Sequence, residues 1–252
     1  MAFTDKFSRV ADAYAAQRPR YPAALYSWLA TLAPGHELAW DCATGNGQAA
    51  LALSDHFAQV AASDASAEMI ASATSHERVA YRVAAAEDAG FLEDESVDLV
   101  TVAQAVHWFD FEQFYAGVRR VLKEDGVIAL WAYAGSSVSG EIDAVTSRLN
   151  REILRDYWSP RVELVNDAYR DLPFPFRECP APELFMNVDW TLAEFLDYHR
   201  TWSAAVDYRR ARGACAVDLI AGEIASCWGD AEARRRVSWR LILKVGRKAG
   251  GR

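Results

Sequence analysis

The chain has 252 residues, 52% of them hydrophobic, so it can bury the core of one α/β domain. A formal net charge of −8 argues against a broad phosphate-binding face, and therefore against nucleic acid as a partner. No apolar stretch approaches the ~20 residues that span a bilayer, and the N-terminal segment lacks the order of a signal peptide, so we expect a cytoplasmic protein.

The first half of the sequence predicts alternating helices and strands. Helical spacing of apolar residues covers 5–17 and continues after Pro22 with Leu25, Leu29 and Leu32. Apolar runs then predict strands at 38–42, 59–63, 79–84, 97–103 and 127–133, the last behind a turn at Asp125-Gly126. The helices predicted between them are at 47–57, at 66–75 after an N-cap Ser66, and after an N-cap Asp110.

The regular alternation of strands and helices ends near residue 135. A long helix is predicted at 139–157, and 159–182 is irregular and rich in proline. A strand at 184–190 precedes a helix capped by Thr191, and another helix is predicted near 216–228. Residues 237–245 have a strand pattern with no helix after them, so we expect them to close the sheet antiparallel.

Strands that alternate with helices and are apolar on both faces predict a doubly wound, mostly parallel α/β sheet. No linker or repeat interrupts the pattern. We therefore expect one domain over 1–252, with a helical cover formed by 1–35 and about 139–235.

A glycine loop follows the first predicted strand, and Gly45-x-Gly47-x-x-Ala50 fits the dinucleotide pattern. Glycine lets backbone N–H groups approach a ligand, and the helix N-terminus after the loop favours an anion. Asp64, at the end of the next strand, would hold a ribose. A nicotinamide dinucleotide and S-adenosylmethionine both satisfy this pattern.

Asp41 separates these two ligands, because it lies at the end of the strand, four residues before Gly45. A carboxylate there would repel a pyrophosphate and attract the ammonium of an amino-acid tail. The position of Asp41 therefore favours S-adenosylmethionine over NAD(P).

The sequence resembles the class I S-adenosylmethionine-dependent methyltransferases. This resemblance rests on DCATGNGQ (41–48), Asp64 with SAEM (66–69), AAAEDAG (84–90) and SVDLVTVAQAVHWFD (96–110). More narrowly, the chain is similar to the trans-aconitate methyltransferase-like branch in RVADAYAAQRPRYP (9–22), AVHWFD (105–110), YHRTWSAAV (198–206) and WRLILKVGRK (239–248). The resemblance implies a seven-stranded Rossmann-like sheet with an antiparallel last strand.

The resemblance implies that Asp41 and the loop residues Ala43, Gly45 and Gly47 hold the methionine part of the cofactor. Relatives usually have glycine where this chain has Ala43. That change is mild if the φ angle there is negative.

The ribose hydroxyls would bind Asp64, and Ala65 and Met69 would flank the adenine. Ala86 and Glu87 would lie at the adenine edge. Many relatives have an aspartate at the position of Ala85, so Glu87 or the backbone would have to read the exocyclic amine.

Ala103 and Gln104 would face the methyl group. Tyr14 and Arg18 would come from an N-terminal segment that folds over the cofactor and orders when the cofactor binds.

A sulfonium is already an activated methyl donor, so the protein has to align an acceptor in line and exclude water. The branch implies small polycarboxylates as acceptors, hence carboxyl O-methylation without a general base. The candidates for orienting this acceptor are His107, Arg18, Gln104, Trp131, Arg200 and Trp202. His107 has three readings: a packed residue of the HWFD turn, an orienting donor or a base.

The cysteines form no C-x-x-C pair, and no metal or hydrolase motif is present, so we expect no metal and no disulfide. The leading hypothesis is a methyltransferase (EC 2.1.1.-) that acts as a monomer or weak homodimer on a small acid. Two alternatives stay open: an NAD(P)-dependent oxidoreductase, and a non-catalytic protein that keeps the methyltransferase-like fold for binding.

Overall fold

The computed structural model describes residues 19–248 of the chain. These residues are built around a sheet of mostly parallel strands. The strands are β1 (Leu38–Cys42), β2 (Gln59–Asp64), β3 (Val79–Val83), β4 (Val97–Ala103), β5 (Leu122–Ala132), β6 (Arg177–Glu178), β7 (Phe185–Trp190), β8 (Arg235–Arg240) and β9 (Ile242–Arg247). Seven of these form one sheet in the order β3-β2-β1-β4-β5-β9-β6, in which β9 alone runs antiparallel to its neighbours. The predicted doubly wound, mostly parallel sheet is therefore confirmed.

Helices pack on both faces of this sheet. The α-helices are α1 (Ala23–Leu32), α2 (Gln48–Leu53), α3 (Ala67–Ala71), α4 (Phe111–Val121), α5 (Gly140–Arg148), α6 (Glu163–Asn166), α7 (Leu192–Arg200), α8 (Ser203–Arg212) and α9 (Asp218–Trp228). The predicted caps are present: Ser66 accepts from Met69 N–H, Asp110 accepts from Gln113 N–H, and Thr191 forms a capping box with Glu194. The predicted helix at 5–17 lies outside the described residues.

Strand β5 shows why the sequence of a central strand in this sheet is continuously apolar. Val127, Ala129 and Trp131 pack into the core on the face that α1 and α2 cover, while Ile128 and Leu130 pack with α4 on the other face. Both faces are buried, so period-two alternation of polar residues is absent. The strand begins at Leu122, earlier than predicted, because residues 123–126 bulge out of the ladder between Leu122 and Val127 instead of ending it in a turn.

The prediction of one strand at 237–245 is wrong in its extent. The chain breaks at Leu241, so that β8 pairs with β7 in a separate two-stranded sheet and only β9 joins β5 antiparallel. The cover at 139–235 is therefore not wholly helical. The long helix predicted at 139–157 is also interrupted, because α5 passes into a π-helical turn at Leu149–Ile153 and a 3-10 turn at Arg155–Tyr157.

Candidate active site

The loop after β1 bends through three left-handed residues, Ala43 (φ 55°), Gly45 (φ 59°) and Gly47 (φ 87°). We expected alanine in place of glycine at position 43 to be a mild change if the φ angle there were negative. The φ angle is positive, so the alanine is strained. A Cβ on Gly47 would lie 2.3 Å from the Tyr81 hydroxyl oxygen, so only glycine fits beneath this tyrosine. The loop ends at the N-terminus of α2 with Gly47 as its cap.

Asp41 is buried inside the fold, 1% exposed. Its Oδ1 accepts a hydrogen bond from the Thr101 hydroxyl at 2.7 Å, and its Oδ2 accepts one from the Thr44 hydroxyl at 2.5 Å. Burial raises the pKa of Asp41 to about 6, and the nearby Asp64 carboxylate acts in the same direction, while hydrogen bonds from Thr44, Thr101 and the Ala50 N–H oppose the shift.

Asp64 lies at the end of β2, beside the loop. Its Oδ2 accepts from Gly45 N–H at 2.9 Å, and its Oδ1 accepts from Ser66 N–H at 2.8 Å. These bonds fix the carboxylate at the carboxyl edge of the sheet, half-buried and next to the loop. Because β2, β1 and β4 are parallel neighbours, Asp64, Asp41 and Ala103 all lie at this one edge.

The predicted adenine residues Ala65, Met69, Ala86 and Glu87 are all half-buried. The Met69 methyl carbon lies over the loop, 3.2 Å from where a Cβ on Gly45 would be. Glu87 already has a partner, because its Oε1 accepts from Asp110 N–H at 2.8 Å. One carboxylate oxygen therefore ties the end of β3 to the start of α4.

Gln104 occupies the first position after β4 with a left-handed backbone (φ 55°). Its N–H donates to Trp131 O at 2.8 Å, and its side-chain Nε2 donates to Tyr133 O at 3.0 Å. A non-glycine residue in this region is strained, and such strain is typical of functional sites. Both bonds hold Gln104 against the end of β5.

The HWFD turn follows Gln104, and His107 within it is 5% exposed. His107 Nδ1 lies 3.3 Å from the Tyr169 hydroxyl. Burial lowers the pKa of His107 to about 4, and the Arg161 guanidinium lowers it further. The imidazole is therefore neutral at pH 7.

Arg161, from the cover, packs on the same turn. Its Nη1 donates to His107 O at 3.2 Å and to Phe109 O at 3.4 Å. Within residues 19–248 no carboxylate pairs with Arg161, and its Nε and Nη2 have no hydrogen-bond acceptor. The structure thus brings a half-buried, uncompensated guanidinium to the carboxyl edge of the sheet.

The side chains of the other described acceptor candidates are already packed or engaged. Trp131 is fully buried between the sheet and α1, with Tyr21 and Tyr26 in edge-to-face contact. Trp202 is buried against Trp158 and His199. The Arg200 guanidinium is engaged by Asp197 at 2.6 Å and by Asp218 at 3.1 Å. Tyr14 and Arg18 lie outside the described residues.

Three residues of this edge were missed in the sequence: Thr101, Arg161 and Tyr169. Thr101 is a polar residue within an apolar strand, a signal that pointed to a buried partner. Arg161 and Tyr169 lie more than 50 residues from His107 in an irregular segment, where no local pattern indicates their contact.

The described part of the chain contains no group of three or more His, Cys, Asp or Glu side chains placed to hold a metal ion. Nor does any helix within residues 19–248 have the length and apolarity needed to cross a membrane.

The chain is similar in sequence and in structure to proteins described as methyltransferases. A family model described as a methyltransferase domain matches residues 40–130. A candidate methyltransferase of Dictyostelium discoideum is 32% identical over 213 residues, which cover 83% of this chain and 81% of that protein. A candidate S-adenosylmethionine-dependent methyltransferase of Saccharomyces cerevisiae, CRG1, is 25% identical over 228 residues, with coverage of 77% and 78%.

Among solved structures, a candidate type II methyltransferase from Anaeromyxobacter dehalogenans has a TM-score of 0.87 at 43% identity. The match covers 93% of this chain and 99% of that one. None of these matches supports the oxidoreductase hypothesis.

Proposed function

The chain belongs to the class I S-adenosylmethionine-dependent methyltransferases, and on that premise we propose that it methylates a carboxylate oxygen of a small organic acid. The observation that supports an acidic acceptor is Arg161. A guanidinium matches a carboxylate with two parallel N–H donors, and Arg161 has donors to spare at the edge where the methyl group is expected.

The residues of the glycine loop fit the cofactor. S-adenosylmethionine supplies an activated methyl group on a sulfonium, together with a ribose, an ammonium and a carboxylate. Asp64 offers a half-buried carboxylate, already oriented by two backbone N–H groups, to the ribose hydroxyls. The α2 N-terminus favours the carboxylate of the methionine part, and the charge of Asp41 favours its ammonium.

The remaining proposed cofactor contacts are those that the family resemblance implies. Ala43, Gly45 and Gly47 would present backbone to the methionine part. Around the adenine we propose Ala65, Met69, Ala86 and Glu87. Ala103 and Gln104 would face the methyl group, and Tyr14 and Arg18 would cover the cofactor.

An ionised carboxylate needs no proton removed before it attacks a methyl group in line. The neutral His107 therefore serves as a hydrogen-bond partner beside the acceptor rather than as a charged donor. Two residues separate His107 from Gln104, so their Cα atoms are at most about 11 Å apart even in an extended chain. Arg161 lies against the same turn, so that an acid bound by its free nitrogens would lie close to Gln104.

This proposal is tested by incubating the protein with methyl-labelled S-adenosylmethionine and trans-aconitate, citrate or succinate, and by isolating the labelled methyl esters, from which alkali releases the label as methanol. The similarity to the trans-aconitate methyltransferase-like branch remains a prediction and sets the order of this panel. If no acid is esterified while an amine or alcohol is methylated, the acidic acceptor is wrong and the family assignment stands.

Arg161 is tested in the same assay. Arg161→Lys keeps a donor for the carbonyls of the HWFD turn but loses the two parallel N–H donors of the guanidinium. The KM for the acid should therefore rise roughly 10-fold or more, while kcat changes less. Arg170→Lys, an exposed arginine of the same segment, is the matched control. An unchanged KM in Arg161→Lys would remove this residue from acceptor binding.

We further propose that residues 1–252 form one methyltransferase domain that works as a monomer or weak homodimer. Size-exclusion chromatography with light scattering measures the oligomeric state directly.

A further inference from the structure

We propose that Thr101 is a positioning residue of the cofactor site, acting together with Thr44 through the buried carboxylate of Asp41. Neither threonine needs to touch the cofactor for this role. The proposal deepens the proposed function, because it concerns how the same loop is held.

The Asp41 carboxylate joins four parts of the fold. It belongs to β1, it accepts from Thr101 on β4 and from Thr44 in the loop, and it is bonded to the Ala50 N–H in the first turn of α2. Thr101 lies directly beside Asp41 in the β1–β4 pairing and is fully buried. A buried charge is tolerated only when hydrogen bonds satisfy it, so the two hydroxyls are required to keep Asp41 ionised inside the sheet.

Thr44 connects this carboxylate to the shape of the loop. It lies between two left-handed residues, Ala43 and Gly45. Its N–H donates to Ser63 O at 2.9 Å, and its carbonyl accepts from Gly47 N–H at 3.0 Å. An alanine in the left-handed region is strained, and the surrounding bonds have to hold it there.

Asp64 holds the same loop from the β2 side through Gly45 N–H. The loop is thus fixed by two carboxylates, one half-buried and one fully buried. Asp64 is placed to meet a ligand, whereas Asp41 is 1% exposed and acts through the backbone and its charge.

The titratable groups that face Asp41 are Asp64 from β2, Tyr26 from α1, Tyr81 from β3 and its neighbour Cys42. The phenols and the thiol have pKa values raised by burial and by Asp41, so they are neutral near pH 7. Removing the Thr101 hydroxyl destabilises the charged form of Asp41 and moves its titration upward.

The test compares Thr101→Val, which keeps the volume but has no donor, with Thr101→Ser, which keeps the donor. S-adenosylhomocysteine is titrated calorimetrically into each protein between pH 5 and pH 8.5. We expect the valine variant to lose about 10-fold or more in affinity at pH 7, since a hydrogen bond to a charged group is worth roughly 1.5–3 kcal/mol. The midpoint of its pH profile should move upward, and the serine variant should retain most of the affinity and the wild-type midpoint.

Thr44→Ala is the second variant, because it removes the other donor without altering the strand, and it should shift the profile in the same direction. Circular dichroism establishes that each variant is folded. Folded valine and alanine variants with wild-type affinity and an unshifted midpoint would overturn the proposal. Failure of the wild-type protein to bind S-adenosylhomocysteine would instead reject the cofactor site, and the positioning role with it.

Discussion

The two ends of the candidate site are assembled in different ways. At the cofactor end, Asp41, Thr44 and Gly45 lie within five residues of one another, and Asp64 follows on the next strand. At the acceptor end, His107 meets Tyr169 and Arg161 across more than 50 residues of sequence. Sequence motifs therefore describe the first end well and the second end hardly at all.

The two ends also treat charge in opposite ways. Burial disfavours the charged form of both residues, but Asp41, with a pKa of about 6, is mostly ionised at pH 7, whereas His107, with a pKa of about 4, is neutral there. This difference is what the proposed function needs, in which the Asp41 charge attracts the cofactor while a neutral turn and one guanidinium meet the acceptor. Substitutions of Asp64, His107, Asp41 and Ala43 test this contrast.

Asp64→Ala removes the carboxylate that we expect to hold the ribose and that also fixes Gly45 and Ser66 N–H. Each hydrogen bond to a charged group is worth roughly 1.5–3 kcal/mol, so affinity for S-adenosylhomocysteine should fall at least about 100-fold. Calorimetric titration measures this loss. Asp55→Ala, which removes an exposed acid beyond α2, is the control, and equal affinities in the two variants would contradict the cofactor end as described.

His107→Gln tests the neutral turn. The folded pKa of His107 is about 4, below the ordinary value of 6.5, so its contribution to stability is fully present above pH 6.5 and is lost as pH falls through 4. The difference in unfolding free energy between wild type and variant should therefore shrink by about 2–3 kcal/mol between pH 7.5 and pH 4.5. Urea unfolding at both pH values measures it, with His56→Gln as control; a pH-independent difference would show that His107 does not titrate this way.

Asp41→Asn tests the buried acid. The folded pKa of about 6 lies above the ordinary 3.8, so burial of Asp41 costs stability increasingly as pH rises from 4 to 6, by up to about 3 kcal/mol. The amide should raise the unfolding free energy at pH 7.5 by about 1–3 kcal/mol, and less at pH 4.5, while it weakens S-adenosylhomocysteine binding. A variant that is less stable at pH 7.5 would contradict this account of the Asp41 charge.

Ala43→Gly tests the strain in the loop. Left-handed alanine costs about 1–2 kcal/mol, and the added flexibility of the unfolded glycine chain offsets about 0.4–1 kcal/mol of the gain. We expect a net rise of up to about 1 kcal/mol, seen as a Tm higher by about 2–4 °C. Ala52→Gly in α2 should lower stability by about 1 kcal/mol, so a fall in both variants would exclude strain at Ala43.

Much of the fold could be predicted because its signals are local. Strand β5 is apolar on both faces, Ser66, Asp110 and Thr191 cap their helices as expected, and the parallel sheet follows from the alternation. The break at Leu241 was missed because 237–245 is continuously strand-like, and pairing partners far away in sequence decide which sheet each half joins.

The same limit applies to the site. The loop and Asp64 could be placed from glycine chemistry and strand ends, since parallel strands bring their carboxyl ends to one edge. Arg200 was favoured by residue type alone. Its pair with Asp197 is an i,i+3 contact within α7, whereas its pair with Asp218 depends on the packing of α7 against α9. Arg161 could not be found because its partners are backbone carbonyls, which leave no trace in the sequence.

Calorimetric titration of the purified wild-type protein with S-adenosylhomocysteine and with NADH decides which of the two cofactors the glycine loop binds. We expect S-adenosylhomocysteine to bind in the micromolar range or tighter and NADH not to bind. Binding of NADH without S-adenosylhomocysteine would contradict the cofactor site built on Asp41, the glycine loop and Asp64.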